Sequence, residues 1–189
     1  MRRLPLPPDL VRDDVTRAVY KLGLDIANYV AAAADQPLTV TYGDRDRQTW
    51  LHYVDDHVLG VAYVAIDGQA VDELTARFTA AVPVIDAAQL DERIESAGSE
   101  DALRHALGAA FLLAPPITDR RFRGYFDRAF THPSAAIRRY GVIGAGYAGW
   151  PELATSLQTL AENDSDEEVR AAANRMLGAM QRLRQEKQE

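Results

Sequence analysis

Three segments of this chain share one pattern: SEDALRHALGAAFLL from Ser99, SAAIRRYGVIGAG from Ser134 and DEEVRAAANRMLGAM from Asp166. Each places an aliphatic residue directly before an arginine, at Leu103-Arg104, Ile137-Arg138 and Val169-Arg170. The pairs are 34 and 32 residues apart. A period of this size is that of one two-helix repeat, and it demands stacked helices that bury a shared apolar seam. Residues 69–189 are accordingly expected to be essentially all helix, with Leu103, Ile137 and Val169 facing inward.

The chain before Gly68 has a different rhythm. Met1–Pro8 reads as a proline-rich arm. Asp9 reads as the N-cap of a helix running to about Ala34, because Val11, Val15, Ala18, Val19, Leu22, Ile26 and Tyr29 recur every three or four residues. Asp35-Gln36-Pro37 should end it, since proline cannot continue a helix. LTVTY, TWLHYV and VLGVAYVAI are rich in β-branched and aromatic residues. They predict strands at about 38–43, 48–54 and 58–66, separated by Gly43-Asp44-Arg45-Asp46 and by Asp55-Asp56-His57, in an antiparallel meander covered by the first helix. The expected division is 1–68, a helix-plus-meander cap, and 69–189, the helical repeats. The polar tail QRLRQEKQE is expected to fray.

The acid-rich helix starts, the aliphatic–Arg pairs and the small-residue runs with Leu-Gly resemble the HEAT repeat in its short bacterial form, over roughly residues 99–182. Residues 69–97 read as a degenerate earlier repeat with Leu74 in the aliphatic slot and Thr75 in place of arginine. The resemblance implies a mainly α fold, a HEAT-like α-solenoid (an α-α superhelix). HEAT-like proteins serve as scaffolds, binding modules and occasionally enzymes, so the resemblance speaks to architecture more than to function.

Charge is uneven along the chain. Between Arg104 and Arg139 seven arginines face only Asp119 and Asp127, whereas Glu152–Glu168 holds six acids and no Lys or Arg. On the helix predicted at 118–131, Phe122, Tyr125, Phe126, Ala129 and Phe130 share one face, and Arg120, Arg121, Arg123 and Arg128 fan across the other. In the HEAT resemblance this helix lines the concave surface. There its arginines suit carboxylates, phosphates or an acidic protein, with Trp150 as an aromatic anchor beside them. A solvated helix face is the competing account.

Other chemistry is thinner. Gly144-Ala145-Gly146-Tyr147-Ala148-Gly149 spells G-x-G-x-x-G, but a dinucleotide site needs a strand before it and a second βα unit after it. The preceding SAAIRRYG is helical by repeat register, so these glycines read as close-packing positions. His52, Asp55, Asp56 and His57 straddle a turn and match no metal-ligand spacing. The absence of cysteine excludes disulfides, thiolate ligands and a cysteine nucleophile. No cofactor is implied. A net charge of −7 argues against a protein that coats nucleic acid. With neither a leader-like nor an 18-residue apolar run, a cytoplasmic protein without a membrane span is expected.

The function expected from these features is non-enzymatic protein binding, as an accessory subunit, scaffold or immunity protein. Two alternatives stand beside it. One is a HEAT-like DNA-repair glycosylase, a family that works on a basic concave surface. The other is a small-molecule carrier with a pocket between cap and solenoid, suggested by Tyr42, Trp50, Tyr53 and Tyr63.

Overall fold

The computed structural model describes residues 1–34, 36–44, 46 and 48–186, the side chain of Arg184 excepted. Asp35 of the expected helix stop, Arg45 of the first strand separator and the tail residues 187–189 lie outside the described residues. The chain forms two compact units, Met1–Asp91 and Glu92–Glu189.

The first unit is built on a five-stranded antiparallel sheet in the order β1-β5-β4-β3-β2. Its strands are β1 (Arg2–Pro5), β2 (Asp25–Val30), β3 (Leu38–Gly43), β4 (Thr49–Asp56) and β5 (Val61–Gly68). Two helices accompany them, α1 (Arg12–Lys21) and α2 (Val71–Ala81). The register sets Val40, Tyr53, Val64 and Leu4 in one row and Tyr42, Leu51 and Ile66 in the next. Alternation puts both rows on the same face of the sheet. Val15 and Val19 of α1 and Leu74 and Phe78 of α2 join these residues in one apolar cluster.

Two of the five strands depart from the sequence expectation. The stretch expected to be helical from Asp9 to Ala34 is helical only over Arg12–Lys21. Gly23 then turns the chain at φ +82°, a conformation that disfavours side chains with a Cβ, and Asp25–Val30 becomes β2. Ile26 and Tyr29 keep a helix-like spacing because β2 is bulged. Ile26 pairs with Tyr42, Asn28 with Thr41 and Tyr29 with Val40, with a register shift between Ile26 and Asn28. The extra residue returns Tyr29 to the face of Ile26. The proline-rich arm is also a strand in part: β1 is an edge, where a proline such as Pro5 removes no needed donor. Leu4 and Leu6 are buried.

The second unit is helical. A short 3-10 turn at Ala87–Gln89 leads into α3 (Leu90–Glu95), which spans the boundary between the units. Then come α4 (Glu100–Leu113), α5 (Arg120–Phe130), α6 (Ala135–Ala148), a 3-10 turn at Pro151–Leu153, α7 (Ala154–Asn163) and α8 (Glu167–Glu186). Ser99 caps α4 by accepting from the Ala102 amide at 3.1 Å. Leu103, Ile137 and Val169 are all buried. The core is aromatic: Phe111 stacks on Phe126 with centroids 4.6 Å apart, and Tyr140 and Trp150 tilt against this pair.

The glycines of α6 make that packing fit. A Cβ on Gly144 would lie 2.2 Å from the Phe111 ring, and one on Gly141 would lie 2.8 Å from Ala129. Tyr140–Ile143 is helix, and the G-x-G-x-x-G run is the end of α6, with Gly149 as its left-handed cap.

The expectation of a mainly α HEAT-like superhelix is therefore corrected. The chain is a mixed α/β protein, 55% helix and 19% strand, with a five-stranded sheet rather than a small meander, and no solenoid is formed. A solenoid needs about three stacked repeats. The presumed first one fails, because Leu74, Phe78 and Val82 belong to the sheet's apolar cluster and α3 is only six residues long. Among the described residues no helix is long and apolar enough to cross a membrane.

Candidate functional site

Helix α5 has the two faces its sequence predicts. Asp119 caps its start, accepting from the Arg121 and Phe122 amides at 2.9 and 3.1 Å. Phe122, Tyr125, Phe126, Ala129 and Phe130 are buried. Arginines of the opposite face are engaged by this unit's own backbone and side chains. Arg123 donates to Asp127 Oδ1 at 2.9 Å, to the Glu152 carbonyl at 3.1 Å and to Ser156 Oγ at 2.7 Å. Arg128 donates to the Ile94 carbonyl at 3.3 Å. The Arg121 guanidinium lies 6.0 Å from the Tyr125 ring centroid. Arg120 is exposed. Trp150, expected as a surface anchor, is 1% exposed and donates its indole N–H to the Pro115 carbonyl at 2.7 Å. It is a core residue, because its ring completes the Phe126 cluster.

The same holds along the rest of the basic block. Arg138 makes a two-pronged contact with Asp164, at 2.7 and 2.8 Å, and also donates to the carbonyls of His132 and Pro133. The side chains of this pair are 12% and 3% exposed. Hydrogen bonding to Arg138 holds the Asp164 carboxyl below its ordinary range, outweighing its desolvation. Arg170 reaches the Asp164 carbonyl at 2.7 Å, Arg139 pairs with Glu168, and Arg104 lies over the Tyr140 ring at 5.1 Å. Arg138 and Arg139 thus find their carboxylates in the acidic block of the same chain. A glycosylase-type surface would need these cations directed at phosphates, whereas Arg123, Arg138 and Arg139 hold α5 and α6 to the segment 152–168.

The histidine cluster of the sequence also comes apart. Asp56 is buried and accepts from the Val58 and Leu59 amides at 3.1 and 2.9 Å. His57 contacts the Ala34 carbonyl at 3.4 Å. His52 instead joins Thr41, Oγ1 to Nδ1 at 2.9 Å, and Asp67, Nε2 to Oδ2 at 3.4 Å. This hydroxyl–imidazole–carboxylate line crosses β3, β4 and β5, a juxtaposition that sequence spacing does not reveal. Its form is that of a nucleophile with its base and orienting acid. β3 is paired on both sides, so its backbone donors serve the ladders rather than an oxyanion. The line therefore pins the register of three strands. Burial pushes the Tyr53 phenol up to about 12, well outside the range of a neutral-pH acid or base. Among the described residues no group of three or more His, Asp or Glu could hold a metal ion.

What the first unit does present is an edge. β2 ends the sheet, and Ile26 and Tyr29 are 50% and 54% exposed. They border a cleft of about 260 Å³ whose other walls are Arg12, Asp13 and Thr16 of α1 and whose floor is Val40 and Tyr42. The Tyr42 hydroxyl is 2.6 Å from Thr16 Oγ1, which fixes the floor against α1. A second cleft, about 210 Å³, lies at the end of α1. There Arg77 donates to the Leu22 carbonyl at 2.8 Å. The opposite sheet edge differs: β1 reads Arg-Arg-Leu-Pro, whereas β2 reads Asp-Ile-Ala-Asn-Tyr-Val. Charge and proline blunt an edge against pairing, and β2 carries one acid and no proline.

Comparison with protein-family models, with curated proteins and with solved structures gave no match.

Proposed function

We propose that this chain is a protein-binding module that takes an extended segment of its partner as a sixth strand on β2. The observation that carries the proposal is the edge itself. Among the described residues β2 has a neighbouring strand on one side only, lacks the proline and arginines that blunt β1, and holds Ile26 and Tyr29 half-exposed above the cleft. Strand addition draws its affinity from main-chain hydrogen bonds and its selectivity from pockets that take alternate side chains. The cleft beside Tyr29 is such a pocket. The role is that of an accessory subunit, scaffold or immunity protein, and the cysteine-free composition fits a cytoplasmic setting.

The test is selection from a display library of extended peptides, followed by hydrogen exchange on the complex. Selected peptides should alternate apolar and polar residues and slow exchange at residues 25–30. Ile26→Lys and Tyr29→Glu should each weaken binding by about tenfold or more, the usual size of a hot-spot loss. Peptides that bind both variants as well as the parent would remove β2 from the function.

A further inference from the structure

Helix α8 carries a second surface, independent of β2. Val169 and Ala173 are fully buried. The same side of the helix continues through Met176, Ala179, Met180 and Leu183, which are spaced as one stripe at i, i+3, i+4 and i+7. Met176, Ala179 and Met180 are only half-buried, and Leu183 is 58% exposed. The uncovering follows from helix lengths. Arg139 pairs with Glu168, and Met176 lies against Gly146, so α6 and α8 run side by side in the same direction. α6 ends at Ala148 and α8 continues to Glu186. The overhang is roughly eight residues, or about 12 Å at the helical rise.

Composition and charge say what suits this stripe. Apart from Met1, the chain's only methionines are Met176 and Met180. Methionine is the side chain that adapts to a docked apolar surface. Arg175 and Arg182 border the stripe seven residues apart and are exposed. Among the described residues neither has a hydrogen-bond or ion-pair partner, unlike Arg123, Arg138 and Arg139. A local basic border persists within a chain of net charge −7, because screening confines each charge to about 8 Å at physiological salt. A second copy laid antiparallel on the stripe would set this arginine border against itself, which disfavours that self-pairing.

We propose that the overhanging end of α8 is a docking surface for an amphipathic helix of a partner protein, with acidic residues bordering its apolar stripe. Met180 and Leu183, with the uncovered part of Met176, receive the apolar side chains, and Arg175 and Arg182 receive the carboxylates.

The test titrates the full chain with two fluorescent synthetic helices that share one leucine stripe, one bordered by glutamates and the other by lysines. The acidic helix should bind at least tenfold more tightly, with affinity falling as salt rises. Arg175→Glu with Arg182→Glu should reverse the preference. Leu183→Asp, at a position already exposed, should weaken binding at least tenfold without changing the melting temperature. Ile26→Lys on β2, which weakens binding of extended peptides, should leave the affinity for the acidic helix unchanged, which separates this surface from the strand edge. Failure of the acidic helix to bind, or equal binding of both helices, would overturn the proposal. So would a dimer, seen by sedimentation, that Leu183→Asp dissociates while neither helix binds.

Discussion

The arginines of α5 and α6 and those near the end of α8 are the same side chain within one helical unit, yet they do opposite things. Arg123 and Arg138 spend their donors on carbonyls, a hydroxyl and carboxylates of their own unit. Arg175 and Arg182 stand exposed beside an apolar stripe. The difference lies in what the chain brings opposite them. The segment 152–168 supplies the Glu152 carbonyl and the Asp164 and Glu168 carboxylates to the first group, while α8 outruns α6. A run of positive charge in a sequence is therefore not in itself a recognition surface. Its meaning depends on where the acids of the same chain arrive.

The comparison breaks first, if it breaks, at Arg138. Arg138→Ala removes the two-pronged contact on the Asp164 carboxylate, a loss of about 1.5–3 kcal/mol for charged hydrogen bonds, read by chemical denaturation. The same pair sets an acid limit. The unfolded Asp164 carboxyl protonates near pH 4, whereas the folded one is held lower by Arg138. Its contribution is therefore full above about pH 4 and lost as pH falls through the depressed folded value. Arg138→Ala should flatten that acid slope.

Packing offers a rival account of what holds the unit together. Gly144→Ala drives a methyl into the Phe111 ring and should cost about 1–3 kcal/mol through overpacking. If it costs more than Arg138→Ala, the aromatic stack rather than the arginine clasp dominates. Arg123→Ala, which removes three donors at the surface of α5, should cost about 1–2 kcal/mol. Arg175→Ala with Arg182→Ala should move stability by less than about 0.5 kcal/mol. A larger shift there would place these two with the clasping group.

Much of the helical unit is legible in the sequence because its signals are local. Ser99 before two acids starts α4, Pro151 opens a helical turn, and the buried face of α5 follows from the spacing of Phe122, Phe126 and Phe130. The sheet is half legible. β3, β4 and β5 show in their β-branched and aromatic residues, but β2 is disguised because its bulge gives Ile26 and Tyr29 the spacing of a helix face. β1 is disguised by its prolines, which an edge tolerates. The candidate sites fare worse, since they depend on distant partners. Arg138 and Asp164 lie 26 residues apart, and the opposite blocks of charge foretell attraction without its pairing. The Thr41–His52–Asp67 line exists only through strand register. The α8 surface arises from two helices ending at different places, which neither helix encodes alone.

The central claim is that Arg138 of the basic block is bound to Asp164 of the acidic block of its own chain. A double-mutant cycle on Arg138→Ala and Asp164→Ala, by urea denaturation at pH 7 with binding of the two synthetic helices measured on the same samples, tests it directly. The account predicts a coupling energy of about 1.5 kcal/mol or more, within the range for contacting residues, with helix binding unchanged. Coupling near zero, together with lost binding of the acidic helix, would mean that Arg138 faces a partner rather than Asp164.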